Sequence, residues 1–274
     1  MKVLLIIFSF ILLLPNFLPF DINGADRFNG DERYSPNLAH LNTIPKLEAY
    51  ADSLSAAKKV RKGSRRYWVS VDSIISERFY HGFSRYNLNE NWLAAVADHV
   101  FGYGLSNKVY VNDIMESREA GCSQQAAIMM ELASRQAFNY RSVGFPHHYA
   151  VQIGIGFQWY FFDADMEPSL TIQDRKFSSW NGKNDELKKY YPCKTVAVLD
   201  HEFGTDQKAI FGTPNVSPAP HLKSFHSVTF LLSRILWLFP LLLMLLVQRP
   251  QFSFTRFVSP NKVSEPGFSL ELSI

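Results

Sequence analysis

The stretch VTFLLSRILWLFPLLLMLLV, residues 228–247, is apolar on every side and constrains the fold more than any other part of the chain. A run of about 20 apolar residues has the length of a membrane-spanning helix. Arg234 stands near one end, where its long side chain can reach the interface, and Pro240 is tolerated inside such a helix. A second apolar segment, VLLIIFSFILLLPNFLPF at residues 3–20, follows Lys2. It reads as a signal anchor or signal peptide. The anchor is favoured because no clear small-x-small cleavage pattern follows it, although Ala25 after Gly24 offers one site.

Charge around these segments sets an expected orientation. Lys2 precedes the first, and Asp21, Asp26, Asp31 and Glu32 crowd its far side; Arg249, Arg256 and Lys262 follow the second, against Lys223 alone close before it. Lysine and arginine mark the cytoplasmic side, so both termini are expected in the cytoplasm and the region between them outside it. The net charge of +3 on 274 residues is too small to argue for a nucleic-acid partner, and none is expected. The basic run KKVRKGSRR at 58–66 reads as a solvated face, with anionic lipid head groups or a surface polymer as the other reading.

These limits divide the chain. Residues 1–20 are the first apolar segment and 21–66 a linker with a weak helix at 45–60. Residues 67–212 form the folded domain, 213–227 a Pro-rich tether containing TPNVSPAPHL, 228–247 the transmembrane helix and 248–274 a cytoplasmic tail. Within the domain, SVDSIISERFY and ENWLAAVADHVF carry apolar residues at helical spacing, and Trp92, Val96 and Val100 are expected to share a core face.

The chemistry concentrates between residues 117 and 168. In SREAGCSQQAAIMMELASRQAF, Ser117 offers a cap and Gly121 a place where another segment can approach closely. Ala126, Ala127, Met130, Ala133 and Ala137 follow at helical spacing. Cys122 then falls in the first turn, where free backbone N–H groups and the helix dipole favour thiolate over thiol. Two alternating segments, HHYAVQI and QWYFFDAD, flank the turn GIGF and read as a β-hairpin. A turn centred between Ile155 and Gly156 sets His148 directly opposite Asp163, on one face with Ala150, Gln152, Trp159 and Phe161. Tyr149, Val151, Ile153, Tyr160 and Phe162 take the other face and read as core. His147 falls on the wrong face to serve as the base, and Asp165, sharing the parity of Asp163, is a weaker candidate for the acid.

A thiolate, an imidazole and an orienting carboxylate are the parts of a nucleophilic triad. The Cys122 N–H is a natural oxyanion donor, with Tyr110, Trp92 or Gln124 as guesses for a second. GCSQQAAIMMELASRQAFNYRSVGF, then HYAVQI and WYFFDADMEP, resembles the transglutaminase-like superfamily over about 50 residues. That resemblance implies an α+β, papain-like core in which a Cys-bearing helix packs on an antiparallel sheet, here with N- and C-terminal transmembrane segments. It implies Cys122 as nucleophile, His148 as base and Asp163 as orienting acid. Gln152 and Ala150 depart from the family's acidic and aromatic positions after the His, which bears on the substrate pocket and leaves the triad intact.

The expected activity is a membrane-tethered, cysteine-dependent amide hydrolase or acyltransferase acting on a peptide or protein amide through a thioester. The alternative is an inactive peptide-binding module on the same fold, which a disulfide between Cys122 and Cys193, the two cysteines of the chain, would favour. No His/Cys cluster has zinc-ligand spacing, so neither metal nor cofactor is expected.

Overall fold

The computed structural model describes residues 1–24, 28, 30, 32–166, 188, 190–192, 194–205 and 209–247. Helix α1 (Lys2–Leu13) continues into a 3-10 turn at Leu14–Phe17. The next helices begin where short polar side chains take up free N–H groups. Thr43 accepts from the Lys46 N–H before α2 (Ile44–Ala57), and Ser64 accepts from the Tyr67 N–H before α3 (Arg65–Arg78). At α4 (Leu88–Phe101) the Glu90 carboxylate accepts the Asn87 N–H at 2.7 Å. Helices α5 (Val111–Met115) and α6 (Cys122–Arg135) lead into β1 (Tyr140–Gly144), β2 (Tyr149–Ile155) and β3 (Gln158–Phe162). Helix α7 (Val196–Phe203), the short β4 (Ile210–Phe211), α8 (Pro220–Ile235) and α9 (Leu238–Val247) follow.

The fold is α+β. The four strands make one antiparallel sheet in the order β3-β2-β1-β4, and α6 packs on β1 and β2. Val151, Ile153, Tyr160 and Phe162 face α6 and join Ile128, Met129, Leu132 and Trp68 in the main core. Its burial of apolar side chains supplies the driving force, about 1.5–3 kcal/mol for each large residue fully enclosed. The opposite face is also covered: Val143, Ala150 and Phe161 pack against Tyr191, Leu199 and Phe203. Its cover is drawn largely from α7, which the hairpin pattern alone does not reveal.

The hairpin register differs from the expected one. Val151 pairs with Phe162 and Ile155 with Gln158, so the turn is Gly156-Phe157, with Gly156 at φ +64°. A left-handed residue there favours glycine, whereas the expected Ile-Gly centre does not place glycine first. The slip is two residues along the ladder, which preserves each side chain's face because the strand period is two.

Three further expectations change. Residues 21–66 are not a linker throughout: Leu38, Leu41, Ile44, Leu47 and Ala51 are buried in the main core. The stripe Trp92, Val96, Val100 is not a core face, since Val96 is 39% and Val100 64% exposed. Asn91 leaves helical geometry (φ −153°, ψ 79°), and α4 buries Asn91, Trp92, Ala94, Ala95 and Asp98 instead. The Pro-rich segment is pinned at Asn215, whose N–H donates to Tyr140 O and whose side-chain oxygen accepts the Tyr140 N–H.

No single helix among the described residues is long and apolar enough to cross a membrane. The expected 228–247 span is divided between α8 and α9, which meet at a 57° bend and together have the length and composition required. Helix α8 lies along α4 through polar contacts. The Asn91 amide donates to Thr229 Oγ1 at 2.9 Å, Ser233 Oγ donates to Asn91 Oδ1 at 3.1 Å, and the Trp92 indole donates to the Ser233 carbonyl at 3.1 Å. The tail at 248–274 lies outside the described residues.

Candidate active site

Cys122 is the first residue of α6, and Gly121 precedes it as the N-cap. The Gly121 carbonyl accepts the Gln125 N–H at 2.9 Å, while Gln124 Oε1 accepts the Gly121 N–H at 3.1 Å, closing the first turn. Ser117 is not the cap of this helix; its hydroxyl contacts that of Ser84. Gly121 is required by close packing, because a Cβ there would lie 2.7 Å from the Phe83 ring. The thiol is free and half-buried; Cys193, the other half of the alternative pairing, lies outside the described residues.

His148 and Asp163 come from the ends of β2 and β3 and are 3% and 2% exposed. The imidazole Nε2–H donates to Asp163 Oδ1 at 2.9 Å, across a diagonal of the hairpin rather than directly opposite. Asp163 also accepts the Tyr191 hydroxyl at 2.7 Å and the Met166 N–H at 3.2 Å. Buried carboxylates persist only when hydrogen-bonded and paired in this way. Phe145 stacks on the His148 ring with centroids 6.1 Å apart, and Phe203 meets it edge-on at 5.3 Å. The ring is therefore held in orientation from both sides.

Electrostatics follow from that geometry. Burial pushes His148 towards its neutral form, but the hydrogen-bonded Asp163 carboxylate, together with the nearby Cys122 sulfur, outweighs it and raises its pKa well above the ordinary value. Burial likewise works against the Asp163 anion, yet His148, the Tyr191 hydroxyl and the Met166 N–H hold its carboxyl below the usual range.

Asp165 is closer to the thiol than its place in the hairpin suggested. The ligating atoms of Cys122, His148 and Asp165 all lie within 4.8 Å of one another. Asp165 Oδ1 accepts from His81 Nδ1 at 2.8 Å and from Gln125 Nε2 at 3.1 Å. His81, Gln125 and Tyr191 were not among the sequence candidates. Gln125, one turn after Gly121 at the Cys-helix start, was the one within reach of local pattern; the other two arrive through long-range packing. His147 is exposed and stacks on His201 with centroids 4.4 Å apart, away from the acid.

The guessed second oxyanion donors are committed elsewhere. Gln124 Nε2 donates to the Ser84 and Lys108 carbonyls, the Trp92 indole to Ser233, and the Tyr110 hydroxyl to the Lys223 carbonyl. In the first turn of α6 the Gln124 and Gln125 N–H groups both donate to the Gly121 carbonyl, whereas the Cys122 and Ser123 N–H groups stand where a helix supplies no internal acceptor. A small recess beside the thiol is walled by Ala126, Met129, Tyr149, Val151 and Phe162, with Gln125 and Asp163 among its polar groups.

Comparison with family models, with curated proteins and with solved structures finds no match to this chain.

Proposed function

We propose that the chain is a membrane-tethered thiol enzyme of the transglutaminase-like kind, attacking an amide through Cys122. The observation that carries this reading is the cluster at the start of α6: a free thiol whose sulfur lies within 4.8 Å of a His148 ring nitrogen, with the imidazole Nε2–H donating to the buried Asp163 carboxylate. The thiol sulfur adds to the amide carbon while its proton passes to His148. The carbonyl oxygen becomes an oxyanion at the Cys122 N–H that opens α6, and Asp163 stabilises the imidazolium. Collapse breaks the C–N bond, the departing amine takes the proton from His148, and a Cys122 thioester remains. Water or an amine then attacks the thioester as His148 takes its proton, the C–S bond breaks to release the acid or the new amide, and the proton returns from His148 to the sulfur. The substrate class is a peptide or protein amide, and hydrolysis is favoured over crosslinking by the resemblance.

Support for the membrane part comes from helix faces that run opposite to those of an ordinary surface helix. Thr229 and Ser233 of α8 are buried, whereas Val228, Phe230 and Leu231 point outward with Phe239, Leu242 and Leu245 of α9. Helix α1 packs beside α9 and exposes Val3, Leu4, Phe8 and Phe10. Apolar area on this scale is a membrane or partner surface, and the flanking charges favour lipid.

An electrophilic amide mimic tests the reading. In the full-length protein it should label Cys122 faster than a model thiol at neutral pH. His148→Ala should slow labelling by about a hundredfold or more, the range of a general base, and Asp163→Asn should slow it sharply with an unchanged circular dichroism spectrum. Equal and ordinary reactivity in all three proteins would sink the enzyme reading in favour of a peptide-binding module.

A further inference from the structure

Sequence spacing suggested no metal ligands, yet the fold assembles a soft donor set around the proposed nucleophile. Cys122 Sγ, a ring nitrogen of His148 and a carboxylate oxygen of Asp165 lie within 4.8 Å of one another. We propose that these three side chains form a binding site for a single zinc-like divalent cation, which by occupying the thiol holds the enzyme inactive until the metal is removed. The binding stands on geometry alone; its inhibitory consequence rests on Cys122 being the nucleophile.

Each ligand is prepared for the role. His148 Nε2–H donates to Asp163, which leaves Nδ1 as the ring nitrogen with a lone pair for a metal, and a carboxylate behind a ligating imidazole is the usual support of a zinc-bound histidine. Asp165 is fixed by His81 and Gln125, which together use two of the roughly four lone-pair sites of a carboxylate. Its side chain is almost wholly covered, so it cannot swing into solvent to avoid the thiolate. Two groups that are anions when deprotonated, placed this close in a shielded site, favour a cation between them. Sulfur, nitrogen and a single carboxylate select a borderline-soft ion of the zinc type over magnesium or calcium, which demand oxygen ligands. Three protein ligands leave one tetrahedral position for water. Binding releases the thiol proton to solvent, takes the imidazole in its neutral form and changes no oxidation state.

Cobalt(II) is the probe, because a cobalt thiolate gives a charge-transfer absorption that requires no substrate. The full-length protein should bind one equivalent with that band, and Zn²⁺ should displace it. Cys122→Ser should abolish the band, Cys193→Ser should keep it, and Asp165→Asn, which preserves shape, should weaken binding by about tenfold or more. A second measurement needs no variant: one equivalent of Zn²⁺ should shield Cys122 from iodoacetamide, and a chelator should reverse the protection. A wild-type protein whose Cys122 alkylates rapidly but gives neither band nor protection overturns the metal site and leaves the thiol enzyme standing. A band unchanged in Asp165→Asn, or one that follows Cys193, also overturns it. The converse result, metal bound at Cys122 with no enhanced thiol reactivity, retains the site and removes the enzyme.

Discussion

His81 stands 84 positions before Asp165, yet its Nδ1 lies 2.8 Å from that carboxylate. The hydrogen bond and charge of Asp165 outweigh burial and raise the His81 pKa to about 8. A raised histidine contributes stability fully present below its unfolded value of about 6.5 and lost as pH rises through about 8. The His81 side chain is 60% exposed, so solvent screening keeps that contribution small. Proton NMR should show the His81 ring titrating near 8, and Asp165→Asn should bring its midpoint down towards the ordinary histidine value. An unmoved midpoint would remove Asp165 as its partner. Asp163 behaves in the opposite sense. Held below its ordinary range, it contributes stability above about pH 3.9 that is lost as pH falls through its folded value, so Asp163→Asn should flatten the acid limb of a thermal-unfolding profile against pH.

At the scale of elements, the start of α6 depends on a glycine. A Cβ at position 121 would sit 2.7 Å from the Phe83 ring, and overfilling a packed contact costs about 1–3 kcal/mol. Gly121→Ala should lower the unfolding midpoint and slow Cys122 labelling, and Phe83→Leu in the same chain should return part of both. If Gly121→Ala matches the wild type in both measurements, the contact does not position the thiol. This glycine, the helix behind Cys122 and the two faces of the hairpin were legible because helix starts and strand alternation are local patterns. The register was not, since it turns on which residue of GIGF takes positive φ, and a two-residue slip leaves the faces unchanged. The buried face of α4 escaped for a related reason: one non-helical residue, Asn91, rotates everything after it. Tyr191 and His81 escaped because nothing local specifies which distant segment covers a site. The resemblance to a thiol-enzyme family named the three residues of the proposed triad, but it said nothing of Asp165, the donor that makes a metal site conceivable.

For the whole molecule, the decisive feature is that α8 turns its polar residues inward and its apolar residues outward. The Asn91, Thr229 and Ser233 network fastens α8 to α4, so the domain and its apolar segments form one body rather than a domain on a loose tether. Breaking it leaves buried polar groups unpaired at about 1–3 kcal/mol each. In the proposed membrane setting, placement of the domain depends on whether α8 and α9 cross together or return at their 57° bend. Charge favours crossing: Arg249, Arg256 and Lys262 follow the second apolar segment, and Lys223 alone closely precedes it. A reporter fused after Ile274 should therefore be active in the cytoplasm, and one inserted near Ser217 should be active outside it. Both reporters on the same side would mean that the bent pair is re-entrant or lies in the interface, and the proposed extracytoplasmic setting of Cys122 would have to be given up together with the crossing.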